Sequence, residues 1–499
     1  MKLFPVRGGI HPEYRKERTS EGAIVALPLP KALYLPLQQH IGAPAEPVVT
    51  VGEAVKKGQL LARGAGSVSA PTHAPTSGTI SAITEVAAPH PSGLAQLTIV
   101  LQPDGKDEWT DLPAALDPFT ASPDDIRARV AACGIVGMGG ATFPSAVKLG
   151  LGTQKPIETL LLNGAECEPY LTCDDRVMRE YAGEVVDGAR IMARALGAAK
   201  VVVGIETNKP AAIAAMTEAA KGFAEVEVVG VPVQYPMGSE RHLVQAITGQ
   251  ETPARKLTAD LGVVVHNVGT ARAVHHALRF GRPLTSRIVT VSGGAVAKPQ
   301  NLDVPLGTLV SELVAFCGGL TQPPRRIVNG GPMMGQPLPS LDVPVIKGTC
   351  GILALTAEET NEQPPGPCIR CGTCVSICPC GLVPVEMASF IRKDNLEAAA
   401  GSGVMDCVSC GSCSYICPSH IPLVHYFNYA KGALNAQARE QRKQDKTKEL
   451  VEVHNARVEK LAQAKREAAA AKKAQMAAAA AAAAAQEANA PAAQVETPQ

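Results

Sequence analysis

Eight cysteines near the C-terminal end fall into two runs of one spacing. Cys368, Cys371, Cys374 and Cys378 precede Pro379; Cys407, Cys410, Cys413 and Cys417 precede Pro418. Both runs read C-x2-C-x2-C-x3-C-P. Thiolates two residues apart on a tight loop, with Gly372 or Gly411 letting the backbone come close, can each reach a different iron of one cube. The proline turns the chain away after the fourth cysteine. Soft thiolates suit zinc as well, but zinc takes four ligands, typically as two C-x2-C pairs. It would not explain a third cysteine at x2 and a fourth at x3 before proline, twice over. The spacing implies two [4Fe–4S] clusters and one-electron chemistry.

The runs are similar to those of bacterial ferredoxins, where the fourth cysteine of each run ligates the other cluster. That resemblance implies Cys368, Cys371 and Cys374 with Cys417 for one cluster, and Cys407, Cys410 and Cys413 with Cys378 for the other. Iron–sulfur ligation needs reduced thiolates, so a reducing compartment is implied. The chain has fourteen cysteines. The other six, Cys133, Cys167, Cys173, Cys317, Cys350 and Cys380, show no repeated spacing and read mostly as small buried hydrophobes. Cys380 is expected to pack near a cluster rather than ligate it.

A second constellation lies upstream. Gly134, Gly137, Gly139 and Gly140 lead through Phe143 and Pro144 into a helical pattern with Lys148 on its first turns. Glycines let backbone N–H groups approach a phosphate, and a helix N-terminus adds a favourable field. The spacing is not the dinucleotide fingerprint G-x-G-x-x-G. A predicted strand then ends in Asn163, Gly164, Ala165, Glu166, Cys167, Glu168 and Pro169. Further on come Tyr235, Pro236, Met237, Gly238, Ser239 and Glu240, then His266, Asn267, Val268, Gly269 and Thr270.

Together these stretches resemble the flavin- and NADH-binding subunit of respiratory complex I and related diaphorases. In that family a G-x-G-G-x-G-F-P…K loop and an N-x-x-E-x-E-P loop hold FMN and the nicotinamide. The resemblance implies that Gly137, Gly139, Gly140 and Lys148 cradle the FMN phosphate and that Asn163 and Asn267 hydrogen-bond the flavin. It places Glu166, Glu168 and Glu240 in the nicotinamide pocket, with Tyr235 on the same loop as Glu240. Two positions depart from the family: Thr142 stands for a glycine, and Cys167 for a small glycine between the glutamates. A flavin converts between the hydride of NAD(H) and the single electrons of a cluster. No side chain is required as nucleophile or general base.

These elements need a multidomain α/β and α+β chain to position them, and 499 residues at 46% hydrophobic content suffice for several cores. Residues 1–30 read as an irregular segment. Residues 31–121 resemble a biotinyl/lipoyl-type barrel-sandwich, but stretch 64–70, where carriers hold their modified lysine, has none. Residues 122–285 alternate strand and helix, with apolar runs at 157–162, 200–205 and 226–231 and helical patterns at 211–221 and 241–247. They form the Rossmann-like FMN/NADH core. Residues 286–361 look like a β-grasp (SLBB-like) domain, and 362–428 form the double ferredoxin-type domain. Residues 429–499 are an Ala/Lys-rich tail, helical and then disordered from 489.

The net charge of +1 argues against nucleic acid as a partner. No signal peptide is visible, and no stretch approaches the roughly 20 apolar residues that span a bilayer. The domain order resembles that of the NAD-reactive iron–sulfur flavoprotein of the Rnf (Rsx) ion-translocating ferredoxin:NAD oxidoreductases. That implies an oxidoreductase subunit lying peripherally on the cytoplasmic face of the bacterial inner membrane. Its partners would be an iron–sulfur subunit and integral membrane subunits, with ferredoxin or flavodoxin as the distant donor. Two alternatives share parts of this pattern: a cobalamin reductase of the diol-utilisation type, and a flavin-free electron-transfer or assembly subunit.

Overall fold

The computed structural model describes residues 2–360 and 362–488. It divides into two units, Met1–Asn428 and Tyr429–Gln499. At the centre of the first is a four-stranded parallel sheet in the order Val226–Val231, Lys200–Glu206, Thr159–Gly164, Val263–Asn267. Both faces are covered, so the strands are continuous apolar runs rather than alternating ones. Leu160 and Leu162 pack with Val201, Val203 and Val264 against helices Pro123–Ala132, Ala182–Leu196 and Val268–Phe280. Leu161, Val202 and Val265 point the other way, onto Leu243, Val244 and Ile247 of helix Glu240–Thr248.

The strand order reverses between Thr159–Gly164 and Val263–Asn267, and ligands of open α/β sheets bind beyond the strand carboxyl ends at such a point. Asn163 and Asn267 are register partners there. The strand Val263–Asn267 is an addition to the three apolar runs read from the sequence, in which Asn267 reads only as a turn residue.

Around this core sit a barrel and a second sheet. The barrel pairs a sheet of Leu33–Pro36, Ala95–Pro103, Gly78–Ala87 and Ala54–Val55 with one of Glu46–Pro47, Leu60–Arg63 and Thr72–His73. The β-grasp sheet runs Gln300–Pro305, Ser286–Ser292, Gly351–Leu355, Arg326–Asn329 and Gln336–Pro337. Val25–Ala26 extends its edge in parallel with Gln300–Pro305. The first thirty residues therefore contribute a strand, although no apolar alternation marks it. Buried Lys347 joins three of these parts by donating to Pro71 O (2.6 Å) and Gly134 O (2.7 Å). Burial lowers its pKa to about 7.

The long helix Leu423–Ala488 carries the tail, whose described side chains beyond residue 435 are exposed. Continuous Ala, Lys, Glu, Gln and Arg explain why it is helical. The disordered end expected over 489–499 lies outside the described residues. Among the described residues no helix is long and apolar enough to cross a membrane.

Candidate functional site

The loop 137–144 closes on itself through Gly137 N–H donating to Phe143 O (2.8 Å) and delivers the chain into helix Ser145–Leu149. Met138 N–H donates to Thr270 Oγ1 (2.9 Å), which fixes the loop against the start of helix Val268–Phe280. A Cβ on Gly140 would meet nothing within 4 Å, so the loop's outer side is open to a ligand. Lys148 forms an ion pair with Glu240 at 2.9 Å, and Glu240 also accepts from Thr258 Oγ1 (2.6 Å). Two buried polar atoms at this edge, Ser145 Oγ and His266 Nε2, have no hydrogen-bond partner among the described residues. Burial, followed by the Lys148 charge, holds His266 well below the usual imidazole range. An open glycine loop, a cation and unsatisfied buried polar atoms fit a phosphate-bearing planar cofactor.

Asn163 donates to Gly238 O (2.7 Å) and accepts from Ala165 N–H (3.2 Å), so it ties the two loops that follow their strands. Asn267 caps its helix by accepting from Gly269 N–H (2.8 Å) and donates Nδ2 to Asp174 (2.6 Å). Burial and then the neighbouring Glu166 charge push Asp174 up to about 7.

The two glutamates of the N-x-x-E-x-E-P loop are not free carboxylates. Glu166 accepts from Asp174 N–H (2.7 Å) and Asp175 N–H (3.2 Å), at the N-terminus of helix Cys173–Glu180. Glu168 accepts from Met333 N–H (3.0 Å) and Met334 N–H (2.9 Å) in the β-grasp turn. Burial raises Glu168 to about 7, against those two bonds. Of the three glutamates assigned to one pocket, only Glu240 is paired with Lys148. The other two use their carboxylates to fix the loop.

That loop is held from beneath by two ammonium groups that sequence reasoning missed. Lys16 Nζ donates to Glu166 O (2.7 Å), Glu168 O (2.9 Å) and Leu171 O. Buried Lys209 donates to Ala165 O (2.6 Å) and to Glu206 (2.9 Å). The only signal for Lys209 was its place just past a strand end. Lys16 had none.

The cysteines gather in two groups. Cys378, Cys407, Cys410 and Cys413 line one small cavity, together with Cys380, Leu382 and Phe427. Cys378, Cys410 and Cys413 are each 8% exposed, whereas Cys368 and Cys371 are open to solvent. Cys374 sits among Cys371, Cys417 and Cys368, whose charges add to burial in raising its thiol pKa. Gly372 and Gly411 both take positive φ at the start of short helices Thr373–Ser376 and Ser412–Tyr415, so the two runs share one backbone path.

The buried group adjoins the glycine-loop core. Tyr235, fully buried, donates its hydroxyl to Cys410 O at 2.6 Å, and His242 Nε2 lies 3.1 Å from Pro379 O. The resemblance places Tyr235 with the flavin contacts; here its phenol bonds the cysteine loop.

Comparison with known families follows this division. Residues 4–106 match the RnfC barrel sandwich hybrid domain, 130–276 the Nuo51 FMN-binding domain, 288–337 the SLBB domain and 367–421 the 4Fe-4S dicluster domain. The chain thus carries an FMN-binding domain and a 4Fe–4S dicluster domain. It is 58% identical over 436 residues to the RnfC-type component of the ion-translocating oxidoreductase complex of Rhodobacter capsulatus, covering 87% of this chain and 84% of that one. It is 45% identical to the corresponding component of the proton-translocating ferredoxin:NAD(+) oxidoreductase complex of Clostridium ljungdahlii, over 86% of this chain and 94% of that one. The Pseudomonas aeruginosa component of the ion-translocating oxidoreductase complex is 46% identical, over 92% of this chain and 59% of its own length. At such identity along nearly the whole body, the chain belongs to the RnfC family of ion-translocating oxidoreductase complex subunits.

Proposed function

We propose that this chain is the NAD-reactive subunit of a membrane-bound complex that couples electron transfer between ferredoxin or flavodoxin and NAD to ion translocation. Partner membrane subunits would carry the ion, and this chain would lie on the cytoplasmic face of the inner membrane. The name of the Clostridium ljungdahlii relative, part of a ferredoxin:NAD(+) oxidoreductase complex, supports that pairing of substrates.

FMN, when bound, would exchange hydride with the nicotinamide and single electrons with a cluster. Gly137, Gly139, Gly140 and Lys148 would hold its phosphate-bearing end. Asn163 and Asn267 would meet it at the switch point, and Glu240 would fix Lys148. Glu166 and Glu168 would act through the loop whose backbone they hold. Cys378, Cys407, Cys410 and Cys413 would ligate the nearer cluster, and Cys368, Cys371, Cys374 and Cys417 the farther one. The single observation that carries this order is the Tyr235 hydroxyl on Cys410 O, which joins the flavin-side loop to the buried cysteine group. The exposed group, with Ile369 68% exposed beside it, then faces the next carrier.

Anaerobically purified protein should hold about eight irons and one FMN, and NADH should bleach the flavin band. Intact clusters with no flavin after gentle purification would overturn the nicotinamide assignment.

A further inference from the structure

Residues 4–19 thread between the parts that exchange electrons, and each contact they make is specific. Phe4 N–H donates to Ala246 O (2.9 Å), behind the loop that carries Tyr235. Gly9 N–H donates to Ile377 O (2.9 Å), next to Cys378. Ile10 and Tyr235 exchange two backbone hydrogen bonds (2.8 and 2.9 Å). Tyr14 O accepts from Tyr170 N–H (2.7 Å), and the Lys16 ammonium then takes three carbonyls of the Glu166–Leu171 turn. Thr19 closes the run on Thr172 (2.7 Å between hydroxyl oxygens).

Gly8 shows how tight the passage is. Its φ is +66°, and a Cβ there would lie 2.5 Å from Ile377 O and 2.8 Å from both Cys378 C and Cys378 O. These are backbone atoms, which cannot rotate aside as a side chain would. A side chain at position 8 must therefore push the segment and the Cys378 loop apart. At the other end the Lys16 ammonium is enclosed by carbonyls, and burial lowers its pKa below the usual lysine range. It restrains a turn in which Glu166 itself holds a φ of +51°.

We infer that residues 4–19 form a clamp that sets the spacing between the flavin-side loop and the Cys378 cluster, with Gly8 and Lys16 as its positioning residues. This rests on the reading proposed above for the two sites. The clamp lies within the barrel-domain match, outside the FMN-domain match, so it is an addition to the flavin core supplied by the preceding domain.

The test uses Gly8→Ala in the full-length, cofactor-loaded protein. Amide hydrogen exchange over 374–382 and 233–238 should accelerate. Stopped-flow mixing with NADH should show flavin bleaching at the rate of the unsubstituted protein, and cluster reduction about tenfold slower or more, the scale on which small misplacements act. Unchanged exchange together with unchanged cluster reduction would overturn the clamp. If Gly8→Ala loses iron, Arg7→Ala decides: Arg7 Nη1 lies where a Cβ on Gly381 would be 2.5 Å away, so it covers the same loop without adding bulk. Faster exchange over 374–382 with full iron content in that variant supports the clamp, and unchanged exchange overturns it. Failure of NADH to bleach the flavin in the unsubstituted protein would instead count against the functional reading.

Discussion

Cys378→Ser is expected to strip the cluster held by Cys407, Cys410 and Cys413 while sparing the one held by Cys368, Cys371 and Cys374. Cys378 belongs in sequence to the first run, but its side chain shares a cavity with the second. A serine oxygen is a harder ligand than thiolate and a poor substitute at iron. Iron content should fall from about eight to about four per chain, and FMN should remain. NADH should still bleach the flavin, whereas electron flow to an external acceptor should be almost wholly lost, because the lost cluster is the one beside Tyr235. Iron analysis with electron paramagnetic resonance reads both effects. Loss of the signal from the exposed cluster instead would show that each run ligates its own cube.

Lys148→Met is expected to release the flavin and leave the clusters in place. Lys148 is the cation on the short helix behind the glycine loop, 2.9 Å from Glu240. Methionine keeps the apolar stem and its packing but removes the charge, leaving Glu240 with Thr258 as its hydrogen-bond donor. A hydrogen bond to a charged group is worth about 1.5–3 kcal/mol, so flavin affinity should weaken by about 10- to 100-fold. Lys148→Arg should restore part of it. The check is the flavin-to-iron ratio after gel filtration at low FMN. A normal ratio in Lys148→Met would remove Lys148 from the cradle.

The chemistry of the clusters was legible because ligand spacing is local: the two cysteine runs need only a few residues each to declare themselves. The glycine loop and the Asn163 turn were legible as a pattern for the same reason. Their cross-connections were not. Nothing in the sequence near Lys16 points to a turn 150 residues away, since a lysine in an irregular segment ordinarily reads as solvated surface. The carboxylates of Glu166 and Glu168 looked like pocket residues because their loop carries the family pattern. Their real partners, a helix start at 173–175 and a turn at 333–334, become neighbours only through the tertiary fold. The register that sets Asn163 beside Asn267 is likewise a property of the sheet order, which no single strand encodes. Tyr235 shows the same limit: its loop could be placed in the core from its pattern, but its hydroxyl reaches a residue in another domain.

Electrons are expected to pass between the nicotinamide site and the farther cluster by way of the buried one. Rapid-freeze electron paramagnetic resonance after anaerobic mixing with NADH tests this route, with Cys378→Ser and Cys417→Ser identifying the two signals. The predicted result is that the signal of the buried Cys378, Cys407, Cys410 and Cys413 cluster rises first and that of the exposed cluster follows. An exposed-cluster signal that rises first, or that rises at full rate in Cys378→Ser, would contradict it.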